Sequence, residues 1–331
     1  MNPNLDSRLK GLFGDSNLVL VDIGASGGTQ KRWGSVRPRL QVIGFEPDKR
    51  EFPNLVGKDP KTRYLNTALF REKCTLQFNL ARHQMLSSVF PPNRPVVDQF
   101  PNSSDFDVIE TVEVDADTLD SQFEANGIRG ADFLKLDTQG CELAILEGAV
   151  STLRNHVFGL EVEVEFAELY KGQPLFADVD GFLRTRGFQL FDLAQVFWKR
   201  KAAPRIGNPR GQLIFADALY LREVGSFFKL LNELPTEAEQ TSKLARALYV
   251  CVLHGYLDYA VELLDHVGGV LGESVRRDIR ATILGETRLG DAVPDFRGRY
   301  RVSQWVKRLF GFLNPANRSW SVTERDIGNS D

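Results

Sequence analysis

The segment VDIGASGG (residues 21–28) ends an apolar run at Asp22 and then supplies Gly24, Gly27 and Gly28. Glycines at such a strand end let the backbone turn sharply and approach a ligand closely. The next apolar run, LQVIGFEPD, carries Glu46, 24 residues after Asp22, followed by Pro47. An acid at that place can accept hydrogen bonds from both ribose hydroxyls of an adenosine moiety. Turn and acid together point to a nucleoside-containing cofactor. The glycine spacing is not GxGxxG, and no GxxxxGK[ST] occurs. The segment after the turn, TQKRWGSVRPR, holds Gly34 and Pro38 and cannot form the long helix on which a pyrophosphate rests. S-adenosylmethionine carries an ammonium and a sulfonium and no phosphate. Asp22 therefore suits it better, by charge, than it suits NAD.

A second set of residues fits the acceptor side. FLKLDTQGCE (133–142) reads as a strand ending near Asp137, with a helix starting after Gly140. Ligands of doubly wound sheets bind beyond the carboxyl ends of strands. Asp137 would orient or deprotonate an acceptor hydroxyl and Gln139 would position it; alternatively, Asp137 is a helix N-cap. FGLEVEVEF (158–166) alternates so that Glu161, Glu163 and Glu165 share one face. Central parallel strands are usually apolar on both faces. Either Glu163 or Glu165 serves the acceptor as a base with a raised pKa, or this face is an exposed edge with Lys or Arg partners. His83, in ARHQMLSS, is a general base by its near-neutral titration, or an exposed loop residue. Ser87 and Ser88 bind cofactor or substrate, or form a turn. Cys141 sits in a first helical turn, where a thiolate is favoured, but a small buried residue is expected there.

The elements that must carry these groups alternate between strand and helix. Apolar runs at 18–23, 40–45, 133–136, 158–166, 188–193 and 213–221, with 63–69 as a further strand, predict a mostly parallel sheet. Helical periodicity at 140–154 and 176–186 predicts cover on both faces. Residues 70–117, with strands at 74–81 and 108–115 around a Pro-rich loop, read as an elaboration. After Glu223 the pattern turns helical, with two helices joined near Gly255 and another over 273–290. The organisation expected is a 1–224 catalytic domain and a 225–331 helical region. RYRVSQWVKRLFGFL (299–313) is basic and amphipathic. It reads as a membrane-surface or acidic-partner helix, or as a helix packed on its own domain, and the packed form is expected. The polar tail, 314–331, is expected to fray.

Composition narrows the classes further. The 331 residues hold 41 basic and 44 acidic side chains, a net charge of −3, so no general basic field invites nucleic acid. Three separated cysteines make no disulfide framework and suit a reducing, cytoplasmic setting. Scattered histidines without zinc-type spacing argue for no metal site. No signal-like start and no run long enough to span a bilayer is present.

LVDIGASGG, Trp33, VIGFEPD, NTALF (66–70), Ser87-Ser88, DADTLDSQF (115–123), ADFLKLDTQGCELAILEGA (131–149) and EVEFAELYKGQPLF (163–176) together resemble the FkbM family of methyltransferases over about residues 15–222. The resemblance implies a Rossmann-like, class I, S-adenosylmethionine-dependent α/β fold. It implies O-methylation of a sugar, glycan or natural-product hydroxyl. Asp22, Gly24, Ala25, Ser26, Gly27 and Gly28 would hold the methionine part of the cofactor, and Glu46 with Pro47 the ribose. Asn66, Ala68 and Leu69 would lie near the adenine, with Ser88 on the cofactor side. Asp137, Gln139, Glu163 and His83 would serve catalysis. A nicotinamide oxidoreductase or a non-catalytic adapter using the helical C-terminus are the competing readings.

Overall fold

The computed structural model describes residues 3–26, 28–57, 59–202, 211–266, 269–285, 296–313, 319–323 and 327–328. Eleven strands are described: β1 (Leu18–Ile23), β2 (Leu40–Phe45), β3 (Thr62–Leu65), β4 (Ala68–Leu69), β5 (Cys74–Ala81), β6 (Val108–Asp117), β7 (Phe133–Leu136), β8 (Gly159–Glu165), β9 (Phe188–Trp198), β10 (Gln212–Arg222) and β11 (Ser321–Thr323). Eight form one sheet in the order β11-β9-β10-β8-β7-β1-β2-β3. The β8-β7-β1-β2-β3 part is parallel, and β10, β9 and β11 add antiparallel pairs at one side. This is the α/β architecture that the apolar runs predict. LVLVDI and LQVIGF are near-continuous apolar because both their faces are covered.

One sheet face packs Val21, Ile43, Leu134, Leu160 and Val162 against the short helices Leu119–Ala125, Glu142–Glu147, Val150–Asn155 and Phe176–Arg184. The other packs Leu20, Val42, Phe133 and Leu219 against Leu248, Cys251 and Leu263. Those come from the helices Glu237–Leu253 and Leu257–His266, which are joined through Gly255 at φ +78°. The boundary that composition draws at 224/225 thus separates segments that share one core in space. A helix over Pro3–Gly11, without a sequence signal, adds Leu5 and Leu9 to that core.

The structure corrects several expectations. Residues 63–69 are two strands: β3 extends the large sheet and β4 joins β5 and β6 in a separate three-stranded one. Between them Asn66 turns its side-chain amide onto the Glu46 carbonyl, 2.7 Å away, and leaves the ladder. The predicted helix 140–154 breaks at Gly148, where a Cβ would fall 2.2 Å from the Phe70 carbonyl oxygen. The tail returns: β11 pairs with β9, and Val322 and Ile327 are buried. Trp320 packs on Trp198, which gives this polar segment an anchor that no local pattern announces. Helix Arg299–Leu313 forms, but Val302, Trp305, Val306 and Leu309 of its stripe are exposed rather than packed on the domain, and the Leu313 side chain lies outside what is described. Trp305 is 64% exposed, because both sheet faces are already covered. Helix Glu273–Leu284 ends short of the predicted 290, and 286–290 lie outside the described residues.

An ion pair ties the helical layer to the sheet. The buried Lys243 ammonium donates to Asp132 Oδ1 at 2.6 Å and also to the His156 carbonyl. Arg246 donates to the same carboxylate, whose Oδ2 accepts from the Val19 amide at 2.9 Å. Removing one partner of a buried pair strands the other charge. Asp132→Ala should lower unfolding free energy by about 3–5 kcal/mol in urea titration. The Asp132→Ala/Lys243→Met double variant should recover part of that loss.

Candidate active site

The site is built where the parallel strands end. After β1, the amides of Gly24 and Ala25 both donate to the Phe45 carbonyl at the end of β2, at 3.0 and 3.2 Å. The Asp137 amide donates to the Ile23 carbonyl at 3.1 Å and the Glu46 amide to the Leu65 carbonyl at 3.1 Å. Four strand ends are stitched into one rim. Gly24 has φ +77°, and a Cβ there would lie 2.0 Å from the Asp137 carbonyl oxygen. Only glycine permits this contact.

A cleft of about 840 Å³, including its open mouth, runs along the rim. Its walls include Gly24, Ser26, Glu46, Leu69, Asp137 and Ile145. Glu46 is buried, and its Oε1 accepts from the Asp48 amide at 2.8 Å. Burial, against that hydrogen bond and with Asp48 adding, pushes its carboxyl up to about 7. Arg50 grips Asp48 and reaches Ser87 Oγ at 3.0 Å, fixing the loop across the cleft. Phe45, Leu69, Leu76, Phe78 and Ile145 make an apolar sleeve at the same place.

The loop after β7 is held from below. Glu142, buried at the start of its helix, accepts from the Thr138 amide at 2.7 Å, from Thr138 Oγ1 at 2.9 Å and from the Gly140 amide at 3.0 Å. Gln139 takes φ +57°, a left-handed conformation that costs a non-glycine residue about 1–2 kcal/mol. Its neighbours secure it. Ser88 Oγ donates to its carbonyl at 2.6 Å, and Tyr170 donates to its Oε1 at 2.9 Å. Its Nε2 donates to Glu163 at 2.7 Å and to Asp137 Oδ1 at 3.2 Å. Asp137 therefore reaches the cleft with its carboxylate already aimed.

Behind Asp137 lies a row of charges set by register. Asp22, Lys135 and Glu161 are neighbours across β1, β7 and β8, and Glu163 faces Asp217 across β8 and β10. The Lys135 ammonium stands 3.4 Å from Asp137 Oδ2 and 3.8 Å from Asp22 Oδ1. Burial opposes its charge, but Asp137, Asp22, Glu161 and Asp217 outweigh burial and raise its pKa. Burial pushes Asp22 up to about 6, with Lys135 opposing and Asp137 and Glu161 adding. Asp217 rises to about 7 through burial, Glu161 and Asp137. Burial and Asp137, Glu165 and Asp217 push Glu163 well above the usual range. Gln30 donates to Glu161 at 2.5 Å, and Arg32 lies 4.0 Å from it. β8 is thus an interior strand, and the exposed-edge reading of its carboxylates fails.

Of the sequence-predicted residues, Gly24, Ser26, Glu46, Pro47, Ala68, Leu69, Asp137 and Gln139 line the cleft. Asp22 lies in the charge row beside it, and Glu163 behind Gln139. Ala25 and Asn66 act on the backbone of the rim. Ser88 holds Gln139, and it is Ser87 that lines the cleft. Gly28 turns the chain at φ +80° beyond it, and Gly27 lies outside the described residues. His83 is not brought in: it is exposed, and its amide donates to the Asp105 carbonyl. Cys141 is buried, and burial with Glu142 raises its thiol pKa, so a thiolate is disfavoured. Sequence reasoning missed Lys135, Asp217, Glu142 and Tyr170. The first two carried a signal, a single charge inside an apolar run; Tyr170 depends on a loop whose course no local pattern gives.

Comparison with known proteins agrees with this geometry. The family model described as Methyltransferase FkbM domain matches residues 22–190, which hold the rim and every member of the charge row except Asp217. The chain belongs to the FkbM methyltransferase family. It is accordingly in the class of S-adenosylmethionine-dependent methyltransferases. Among curated proteins it is similar to 2-O-methyltransferase NoeI of Sinorhizobium fredii, at 25% identity over 170 residues, 49% of this chain and 70% of that one. Among solved structures it is similar to a methyltransferase FkbM from Methylobacillus flagellatus KT, at 16% identity and TM-score 0.37. That likeness covers 62% of this chain and 44% of the other, so this chain spans less than half of that protein. It is also similar to magnesium protoporphyrin IX methyltransferase from Synechocystis PCC 6803 with bound SAM, at 10% identity, TM-score 0.32 and coverage of 66% and 78%.

The residues fit the FkbM cofactor. Asp22 Oδ1 is buried and accepts no hydrogen bond, an unmet acceptor for a cationic methionine group. Glu46 lines the cleft with a carboxylate that could accept from ribose hydroxyls, and the apolar sleeve is of a kind that an adenine ring would fill. Gly24→Ala should weaken S-adenosylmethionine binding at least about tenfold in calorimetry, since the Cβ displaces the Asp137 carbonyl. Gly28→Ala, with φ +80° but nothing within 4 Å of its Cβ, should cost only about 1 kcal/mol of stability and little affinity.

Proposed function

We propose that this chain transfers the methyl group of S-adenosylmethionine to a hydroxyl of a sugar, a glycan or a natural-product-like small molecule. The observation that carries the reading is Asp137. Its carboxylate lines the cleft, accepts from Gln139 at 3.2 Å and has the Lys135 ammonium at 3.4 Å. The printed name of the NoeI relative, a 2-O-methyltransferase, supports oxygen as the acceptor atom. A cytoplasmic setting belongs to the same reading, in keeping with three free cysteines.

Bound S-adenosylmethionine supplies a methyl group activated by its positively charged sulfur. The protein's part is to bind, align and take up a proton. Glu46 holds the ribose side and Asp22 balances the cationic methionine group. Asp137 accepts the hydroxyl proton, and Lys135 offsets the charge changes beside it. Glu163, screened from the cleft by Gln139, positions that amide. Tyr170 fixes the other end of the Gln139 amide, so the Asp137 rotamer is set before substrates arrive.

The reading separates two residues. In a radiolabelled methyl-transfer assay over a panel of sugars and glycans, Asp137→Asn should lower kcat about 10²–10⁴-fold and leave donor affinity within a few-fold. Glu46→Gln should do the reverse, weakening the donor about tenfold or more with a smaller effect on kcat. The ribose hydroxyls donate to an ionised Glu46. Donor affinity is therefore full above about pH 7 and falls as pH drops through that value. Glu46→Gln should flatten this dependence. Loss of kcat without loss of affinity in Glu46→Gln would contradict the assignment.

A further inference from the structure

Helix Arg299–Leu313 takes no part in the site. Tyr300, Val302, Trp305, Val306 and Leu309 are 76%, 51%, 64%, 50% and 43% exposed. Isolated exposed apolar residues are ordinary, but these lie within three turns of one helix. Val302, Trp305, Val306 and Leu309 recur at helical spacing and form one stripe. Arg297, Arg299, Arg301, Lys307 and Arg308 are five cations, with no acid between 297 and 313, in a chain of net charge −3.

We infer that this helix is an interfacial anchor that lies on an anionic phospholipid bilayer, with its stripe of Val302, Trp305, Val306 and Leu309 in the acyl boundary. Three features select a bilayer over a protein partner. On a helical wheel Arg299 stands at one margin of the stripe, Arg301 and Arg308 lie toward the other, and Lys307 is on the polar face; long basic side chains at such margins reach headgroup phosphates while the stripe sinks. A helix that docks on protein ordinarily mixes charges on its outer face, and this one has a single sign. Trp305 sits at one edge of the stripe, in keeping with the preference of its amphipathic ring for the headgroup level. Spanning is excluded for this helix. Its 15 residues give about 22 Å, short of the ~30 Å hydrocarbon core. Among the described residues no helix is long and apolar enough to cross a membrane. The inference is independent of the acceptor's identity. A bilayer-bound chain would carry its cleft to hydroxyl acceptors that are themselves held at the lipid surface.

The test is flotation of the full chain with vesicles of phosphatidylcholine alone and of phosphatidylcholine with phosphatidylglycerol. The expected result is binding to the anionic vesicles, weakened by salt, and little binding to the neutral ones. Trp305→Ser/Leu309→Ser should lower vesicle partition about tenfold or more, and Arg301→Glu/Lys307→Glu/Arg308→Glu should abolish the preference for anionic lipid. Both variants should bind S-adenosylmethionine as the parent does, which shows the fold and the cleft intact. No binding of the parent chain to anionic vesicles would overturn the inference. So would equal binding by the parent and both variants. A dimer in light scattering that Trp305→Ser/Leu309→Ser dissolves, without vesicle binding by the parent, would assign the stripe to a second copy of the chain instead.

Discussion

The site depends on one half-buried cation. Lys135 stands on an interior strand, and Asp22, Asp137, Glu161 and Asp217 face its ammonium from three other strands and a loop. Carboxylates brought this close together would repel one another and lose hydration at once. Lys135 lets Asp22 and Asp137 stand at adjacent strand ends, 3.8 and 3.4 Å from its Nζ. Asp137 lines the cleft from there, and Asp22 lies beside it. Burial first, and neighbouring acids after it, push Asp22 up to about 6 and Asp217 up to about 7.

The backbone carries the second half of the design. Gly24 touches the Asp137 carbonyl, and the amides of Gly24, Ala25, Glu46 and Asp137 each extend a neighbouring strand's ladder. The ends of β1, β2, β3 and β7 are therefore tied into one rim. Gln139 is the point at which rigidity is bought with strain, since a non-glycine residue takes φ +57° there. Ser88, Tyr170, Glu163 and Asp137 all hold that residue, which is how its conformation is maintained.

The sequence was legible where burial on both faces leaves a continuous apolar run. LVLVDI, LQVIGF and LIFADALYL announce strands, and the glycine turn and Glu46 announce residues that the fold brings to one cleft. Asp137 and Gln139 were reachable from their place after a strand. Features set by contacts between distant segments were not reachable. The break at Asn66 depends on the Glu46 carbonyl, and the break at Gly148 on the Phe70 carbonyl. β11 depends on Trp198 and Lys199, more than a hundred residues earlier. The exposed stripe of Arg299–Leu313 ran against the packed reading because sequence does not show which sheet faces are already covered. His83 illustrates the converse error. Residue type suggested a base, whereas the backbone hydrogen bond to Asp105 holds it outside the cleft.

The central claim is that this rim holds S-adenosylmethionine. Isothermal titration of the purified chain with S-adenosylmethionine, S-adenosylhomocysteine, NAD and NADP tests it most directly. The account predicts one-to-one binding of the two adenosyl-sulfur compounds and none of the nicotinamides. Tighter binding of a nicotinamide, or no binding of the sulfur pair, would contradict it.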